Sequence, residues 1–349
     1  MNRETLERLI TEGEVFREQD LSGGDLRGAD LSGAMFYGTS LRGSNLRDAK
    51  VRESLFVGCD LSDCDLTGAD LSHSQLQGCA MDRSTLAGAR MVDVALAACD
   101  WRQVDASGAT LVGTFFVKGA LEGVSLAGAT LDRSAFVECP VRGLDLSGAA
   151  MPQAVLVGAD LTTTTFTGAS FDRVVLVGAK LTGVDLRGMT LKGTQFMDCD
   201  MAGADLRGAD VSACNFKGAT LTNARLDEVR GAHVLFTGAK AAGVVLRGAK
   251  IPQSIFVEAD LSGAVLSGAD LQAGCFHRAK CEGARFDGCD LTYSDFGSAE
   301  LPRADFSGAS LFRTRFHMTD ERGTVFTDRS LALGDDAPRA AAERWTPRY

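Results

Sequence analysis

The amino-acid sequence predicts an all-β solenoid of about 16 four-sided coils, and three observations carry that expectation. The first is a five-residue register that holds from Phe16 to Leu331, 64 consecutive units. It shows near the start as Asp25-Leu26-Arg27-Gly28-Ala29 and Asp30-Leu31-Ser32-Gly33-Ala34, and late in the chain as Ala259-Asp260-Leu261-Ser262-Gly263. The central position is Leu, Phe, Met, Val or Ile in nearly every unit. A small residue stands two places before it, and Gly is the commonest choice two places after. The second observation is a superperiod of twenty. Phe16, Phe36, Phe56, Phe116, Phe136, Phe196, Phe216, Phe236, Phe256, Phe276, Phe296 and Phe316 fall in one column at every fourth unit, with Leu76, Leu96, Leu156 and Leu176 between them. That column takes twelve of the 19 phenylalanines, so one turn of the chain has four sides.

The third observation is what the period excludes. A helix needs apolar residues at 3.6-residue spacing and a half-buried strand alternates at two. A chain that turns a corner every five residues fits instead. The central residue points inward from each side, the small residue fills space near the corner, and the other three face water. Gly eases the turn. Stacked coils satisfy one another's backbone groups, and at about 4.8 Å per coil the stack would be roughly 75 Å long.

The elements follow in chain order. Residues 1–12 read as an N-terminal helical cap, because Leu6, Leu9 and Ile10 share one face and Glu4, Glu7 and Arg8 the other. Residues 13–331 read as one solenoid domain with no insertion loop. Within it Ala106, Gly231, Ala241, Cys281 and Glu321 depart from the large apolar centre. Gly231 and Ala241 lie two units apart, so 227–242 is expected to bulge or kink as a packing defect, and Glu321 is expected to mark the loosening of the last coil. Residues 332–349 read as a C-terminal tail or cap. Gly334-Asp335-Asp336 turns, a short helix follows, and Trp345 and Tyr349 sit at the end. The aromatic tail is either folded over the last coil, the preferred reading, or offered to a partner.

The units Ala29-Asp30-Leu31-Ser32-Gly33, Ala69-Asp70-Leu71, Ala159-Asp160-Leu161, Ala209-Asp210-Val211 and Ala269-Asp270-Leu271 resemble the pentapeptide-repeat family, whose consensus is A(D/N)LXX. The resemblance covers about nine tenths of the chain. It implies a right-handed quadrilateral β-helix, in agreement with the column count. Functions it brings into view are DNA-gyrase or topoisomerase inhibition by imitation of DNA, and adaptor or effector roles beside secretion machines, including effector loading in the type VI apparatus.

The exterior carries the functional expectation. Outward positions on three sides are mostly polar, whereas the Phe-column side carries Leu55 with Val57, Ala95 with Ala97, Phe115 with Val117, Ala135 with Val137, Val155 with Val157 and Val175 with Val177. Leu235 and the pair Ile255 and Val257 follow further on. Five successive coils, centred at residues 96 to 176, are apolar on both outward tracks, a flat strip of a few hundred Å². β-Branched residues suit any stacked ladder, but that preference would act on all four sides and the excess stands on one. The strip is therefore expected to dimerise two chains side by side or to dock another protein. The terminal Trp345 and Tyr349 are further candidate contacts.

Charge excludes other classes. With 36 basic and 46 acidic residues the net charge is −10, so nucleic acid is a poor partner. Asp25, Asp65, Asp105, Asp145, Asp185 and Asp205 form an acidic track on one side, diluted by Arg27, Arg47 and Arg187. It could compete for a DNA-binding groove, but Asp before the central Leu also serves hydrogen bonding near the turn. No enzyme is expected. The four histidines are His73, His233, His277 and His317, the last two about 10 Å apart on one side, too far for one metal ion. Cys275 and His277 are adjacent outward positions and make only an incidental pair. A convex, fully packed solenoid offers no cleft, so no cofactor, metal or small-molecule substrate is expected. Cys59, Cys64, Cys79, Cys99, Cys139, Cys199, Cys214 and Cys289 occupy the small interior position and read as buried, reduced thiols. With no signal peptide or transmembrane run in the sequence, no membrane partner is expected and the cytoplasm is favoured. Signal-independent secretion would leave the sequence looking the same.

Overall fold

The computed structural model describes residues 1–345 and divides into two compact units, Met1–Lys180 and Leu181–Tyr349. The repeat pattern alone reads as one continuous domain. Each unit is a parallel β-solenoid in which residue i bridges residue i+20, so every coil has four five-residue sides, and the two units hold about 16 coils.

In the first unit the Phe-column side is the most regular. There β1 (Val15–Arg17), β2 (Met35–Tyr37), β3 (Leu55–Val57), β4 (Gln75–Gln77), β5 (Ala95–Ala97), β6 (Phe115–Val117) and β7 (Ala135–Val137) form one parallel sheet, each strand pairing with the next in register. A second side pairs β8 (Ala150–Pro152) with β9 (Ser170–Asp172). Elsewhere single residues bridge, as in Asp25↔Asn45 and Asp30↔Lys50. Inside, Phe16, Phe36 and Phe56 stack at 5.0 Å between centroids, and Phe116 lies over Phe136 at 4.8 Å. The void left among Leu31, Leu46, Phe56 and their neighbours is about 10 Å³, at or below the space one water needs. The small interior position does more than fill space. Ser44 and Ser54 donate to the carbonyls of Leu21 (3.0 Å) and Leu31 (2.8 Å), and the Cys64 thiol donates to Leu41 (2.9 Å), each binding its coil to the one below.

The helix α1 (Arg3–Thr11) covers the first coil. Asn2 caps it by accepting from the Thr5 N–H at 2.9 Å, and Leu6 is buried. Its polar residues then serve the open edge of the solenoid. Arg3 donates to the carbonyls of Arg27 (2.7 Å) and Gly28 (2.9 Å), and Glu7 accepts the Asp30 N–H at 2.9 Å.

One interior expectation fails in this unit. Cys139 is half-exposed, whereas the other seven cysteines at the small interior position are buried. The next residue, Pro140, brings no N–H to the ladder and carries no bridge, so that corner stays open.

In the second unit Phe196, Phe216, Phe236, Phe256, Phe276, Phe296 and Phe316 stack in one column at 4.5–5.3 Å. A second column, Phe286, Phe306 and Phe326, meets it edge-on. No bulge forms at 227–242. Gly231 keeps its ladder bond to the Lys250 carbonyl at 3.0 Å, as does Arg230 to Ala209. Gly231 departs in its backbone conformation instead: it is half-exposed with φ +143°, and a Cβ there would lie 2.6 Å from the Ser212 Cα of the preceding coil.

The last coil closes early. After β10 (Asp305–Phe306) pairs with β11 (Val325–Phe326), Arg315 bridges Leu333 instead of a residue twenty places on. Leu331 is thereby left 61% exposed, not inward as its register predicts. Glu321 stands where the burial pattern loosens, residues 318–331 being half-buried or exposed. It is held by Arg329 and by the Thr319 hydroxyl at 2.7 Å. The helix α2 (Ala337–Arg344) then lies against this coil, with Ala340 buried.

Candidate interaction surface

The apolar strip is built by β5, β6 and β7 and by two further coils that bridge through Val155 and Val175. Alternation along each short side sends Leu96, Phe116, Phe136, Leu156 and Leu176 into the core and their neighbours outward. Phe115 is 50% exposed, Val137 42% and Val157 54%. Ala97, Val117, Val155, Val175 and Val177 are half-buried by the coils above and below, and Ala95 is exposed. Ala135 departs from expectation, being buried: in the ladder it stands between Phe115 and Val155, whose larger side chains shade its methyl group. The strip thus has a ring ridge at Phe115, a dip at Ala135 and a valine plateau beyond.

Leu55 and Val57 are half-buried and separated from the strip by Gln75 and Gln77 of β4. Leu235, Ile255 and Val257 are half-buried in the second unit. Trp345 is 71% exposed, so α2 covers the last coil without help from the indole; Tyr349 lies outside the described residues. An aromatic pair escaped the sequence reading: exposed Tyr293 and Phe312 meet edge-on at 5.6 Å, with Leu331 exposed in the next coil. The usable signal was a large apolar residue at an outward or corner position on a side that is otherwise polar.

The acidic track is occupied by its own backbone. Asp65, Asp105 and Asp145 accept the N–H two residues on at 3.1, 3.0 and 2.9 Å. Asp25, Asp185 and Asp205 are clamped by Arg27, Arg187 and Arg207, and Asp65 also by Arg47. Hydrogen bonding to Arg27 holds Asp25 below its ordinary value, and Arg187 does the same for Asp185.

Two of the histidines sit near the C-terminal end of the second unit. His317 is buried beneath the tail: its Nδ1 accepts the Asp336 N–H at 3.2 Å, and its Nε2 is 3.4 Å from the Glu343 carboxylate. His277 folds over Gly297, one coil below His317. Among the described residues no group of three or more His, Cys, Asp or Glu is arranged to hold a metal ion, and no helix is long and apolar enough to cross a membrane.

A family model for pentapeptide repeats matches the chain in overlapping stretches spanning residues 15–83, 142–212 and 214–328. The chain belongs to the pentapeptide repeat family. Its five-residue register, twenty-residue bridges and Ala-Asp-Leu units are those of a pentapeptide repeat protein, folded as a quadrilateral β-helix. The stretch between the first two matches, 84–141, keeps the register while carrying Trp101, Ala106 and three coils of the strip. No curated protein sequence matches the chain. Similar solved structures include HetL, a pentapeptide repeat protein involved in heterocyst differentiation regulation from the cyanobacterium Nostoc, at 23% identity over 87% of this chain and 96% of that one, TM-score 0.27. A pentapeptide repeat protein from the Arabidopsis thaliana thylakoid lumen is 26% identical over 31% of this chain and 68% of its own, TM-score 0.23. QnrB1, a plasmid-mediated fluoroquinolone resistance protein, is 19% identical over 78% of this chain and 96% of its own, TM-score 0.14.

Proposed function

We propose that this pentapeptide repeat protein is a non-catalytic interaction scaffold that docks a protein partner on the apolar strip of its first unit. The observation that carries the proposal is the run of five coils, apolar on both outward tracks, with Phe115, Val137 and Val157 open to solvent. Desolvating such a face favours association by roughly 25 cal/mol per Å². The packed core supports a binding role over chemistry. The ten free cysteines suit a reducing compartment such as the cytoplasm.

Imitation of DNA, as a gyrase ligand would require, is less well supported. Arginines pair with Asp25, Asp65, Asp185 and Asp205 of the acidic track and interrupt its row of negative charge. A role as a secretion-system adaptor would use the same strip and differ only in the partner's identity.

The test is site-specific photo-crosslinking in the source cell. A benzoylphenylalanine at position 137 or 157 is expected to give a protein adduct that one at Thr165, on another side, does not. Equal adducts from all three positions, or none, would remove the strip as the docking face.

A further inference from the structure

We infer that the occupant of the strip is a single amphipathic α-helix of about 16 residues from another protein, an inference that rests on the docking role proposed above. Size argues against a second copy of the chain. Five coils at about 4.8 Å give a length of about 24 Å, and three extended residues give a width of about 10 Å. The flat area is then about 240 Å², far below the roughly 800 Å² per partner that a stable pair buries. A helix is about 10 Å across and rises 1.5 Å per residue, so about 16 residues match both dimensions.

Backbone bonding argues against an extended strand. The N–H and C=O groups of this side are spent between coils: Phe115 donates to Val94 at 2.9 Å, Ala135 to Thr114 at 3.0 Å, and Lys118 to Val137 at 2.9 Å. The strip is a sheet face with no free edge, so an added strand would find no ladder to extend. A helix satisfies its own backbone and needs only side-chain contact. The relief suits it too. The dip at Ala135, with Phe115 and Val155 on either side, accepts a Leu-sized knob, and the valines beyond accept others at helical spacing. Arg133, Lys118 and Glu138 border the strip at the corners, where the partner's flanking polar residues would lie.

The test uses the full chain with two fluorescein-labelled peptides of one composition. In the first, Leu recurs at i, i+3, i+4 and i+7 among Lys, Glu and Ala; in the second, the order is scrambled to remove the stripe. The first probe is expected to bind at least tenfold more tightly and to gain helicity in circular dichroism. Val137→Asp with Val157→Asp should weaken it at least tenfold, and the milder Val137→Ser with Val157→Ser should fall between, with melting unchanged. Equal binding of both probes, or binding that ignores both variant pairs, would overturn the inference. So would a native dimer in light scattering that the substitutions split. If crosslinking from position 157 captures a protein while the helical probe fails, the docking role stands and the helix falls.

Discussion

Trp101 meets Phe116 edge-on, with ring centroids 5.1 Å apart and planes at 87°, in the coil where Ala106 leaves the core short of volume. Two departures from Leu thus stand on adjacent sides of one coil, one larger and one smaller, and both are buried. The Trp101 Nε1–H is buried without a hydrogen-bond partner, which costs free energy that a hydrocarbon ring would not. Trp101→Ala should therefore destabilise the first unit by about 3–5 kcal/mol. Trp101→Phe should cost well under half of that, because the lost volume is partly offset by removal of the unpaired donor. Urea titrations of the full chain decide the order; equal losses would refute it.

Gly231 should be intolerant of any side chain. With φ at +143° and the main chain of the preceding coil at the Cβ position, Gly231→Ala faces both backbone strain and overpacking. A loss of about 2–4 kcal/mol is expected. Ala241→Leu, two units on, tests the alternative that this region is simply underfilled; a gain in stability there with no loss at Gly231→Ala would contradict the account.

Acid should act on two groups of carboxylates in opposite directions. The Thr162 hydroxyl and N–H hold Asp160 below its ordinary value of 3.8, and Ser307 does so for Asp305. Their stabilisation is present above that value and lost as pH falls through the lower folded ones. Asp82 is raised, by burial first and then by the neighbouring Asp100 carboxyl. Its protonated form stabilises below the unfolded value, and that contribution is lost as pH rises through the folded one. Asp82→Asn should raise the urea midpoint at pH 7 and leave it nearly unchanged at pH 3. A lowered midpoint at pH 7 would show that the charge is favourable.

Thiol chemistry should divide the cysteines. Cys139 and Cys275 are half-exposed and the other eight buried. Desolvation pushes the thiols of Cys214 and Cys289 up to about 12, so almost no thiolate is present at neutral pH. Iodoacetamide on the native protein should modify two sites and reach the remaining eight only after unfolding, as peptide mapping would show.

The tail should depend on one imidazole. His317 contacts Asp336 at the start of α2 and Glu343 near its end. His317→Ala is expected to remove hydrogen-exchange protection from the Ala340 amide while the Phe196–Phe296 region keeps its own. Unchanged protection at Ala340 would mean that α2 is held by other contacts.

The fold was legible because it is written in repetition: period five fixes the corner, period twenty fixes the side, and Phe16 to Phe316 mark one column throughout. What escaped the sequence was decided by exceptions whose cost depends on neighbours twenty residues away. The opening at Cys139 follows from Pro140, which the pattern tolerates because a proline preserves spacing while removing a donor. Gly231 read as a defect because a missing side chain does not announce the backbone conformation, φ +143°, that its absence allows. Leu331 keeps its register but loses its coil, since the last turn closes at Leu333. On the surface, the outward tracks were readable from alternation, whereas the burial of Ala135 depended on the sizes of Phe115 and Val155.

A parallel ladder that repeats every 4.8 Å is also a template, and its first coil is a surface on which like chains could add without limit. Arg3 and Glu7 take up the carbonyls and the N–H that such growth would need. In that sense α1 does more than cover apolar side chains: it occupies the edge groups on which a further coil or a like chain would otherwise stack.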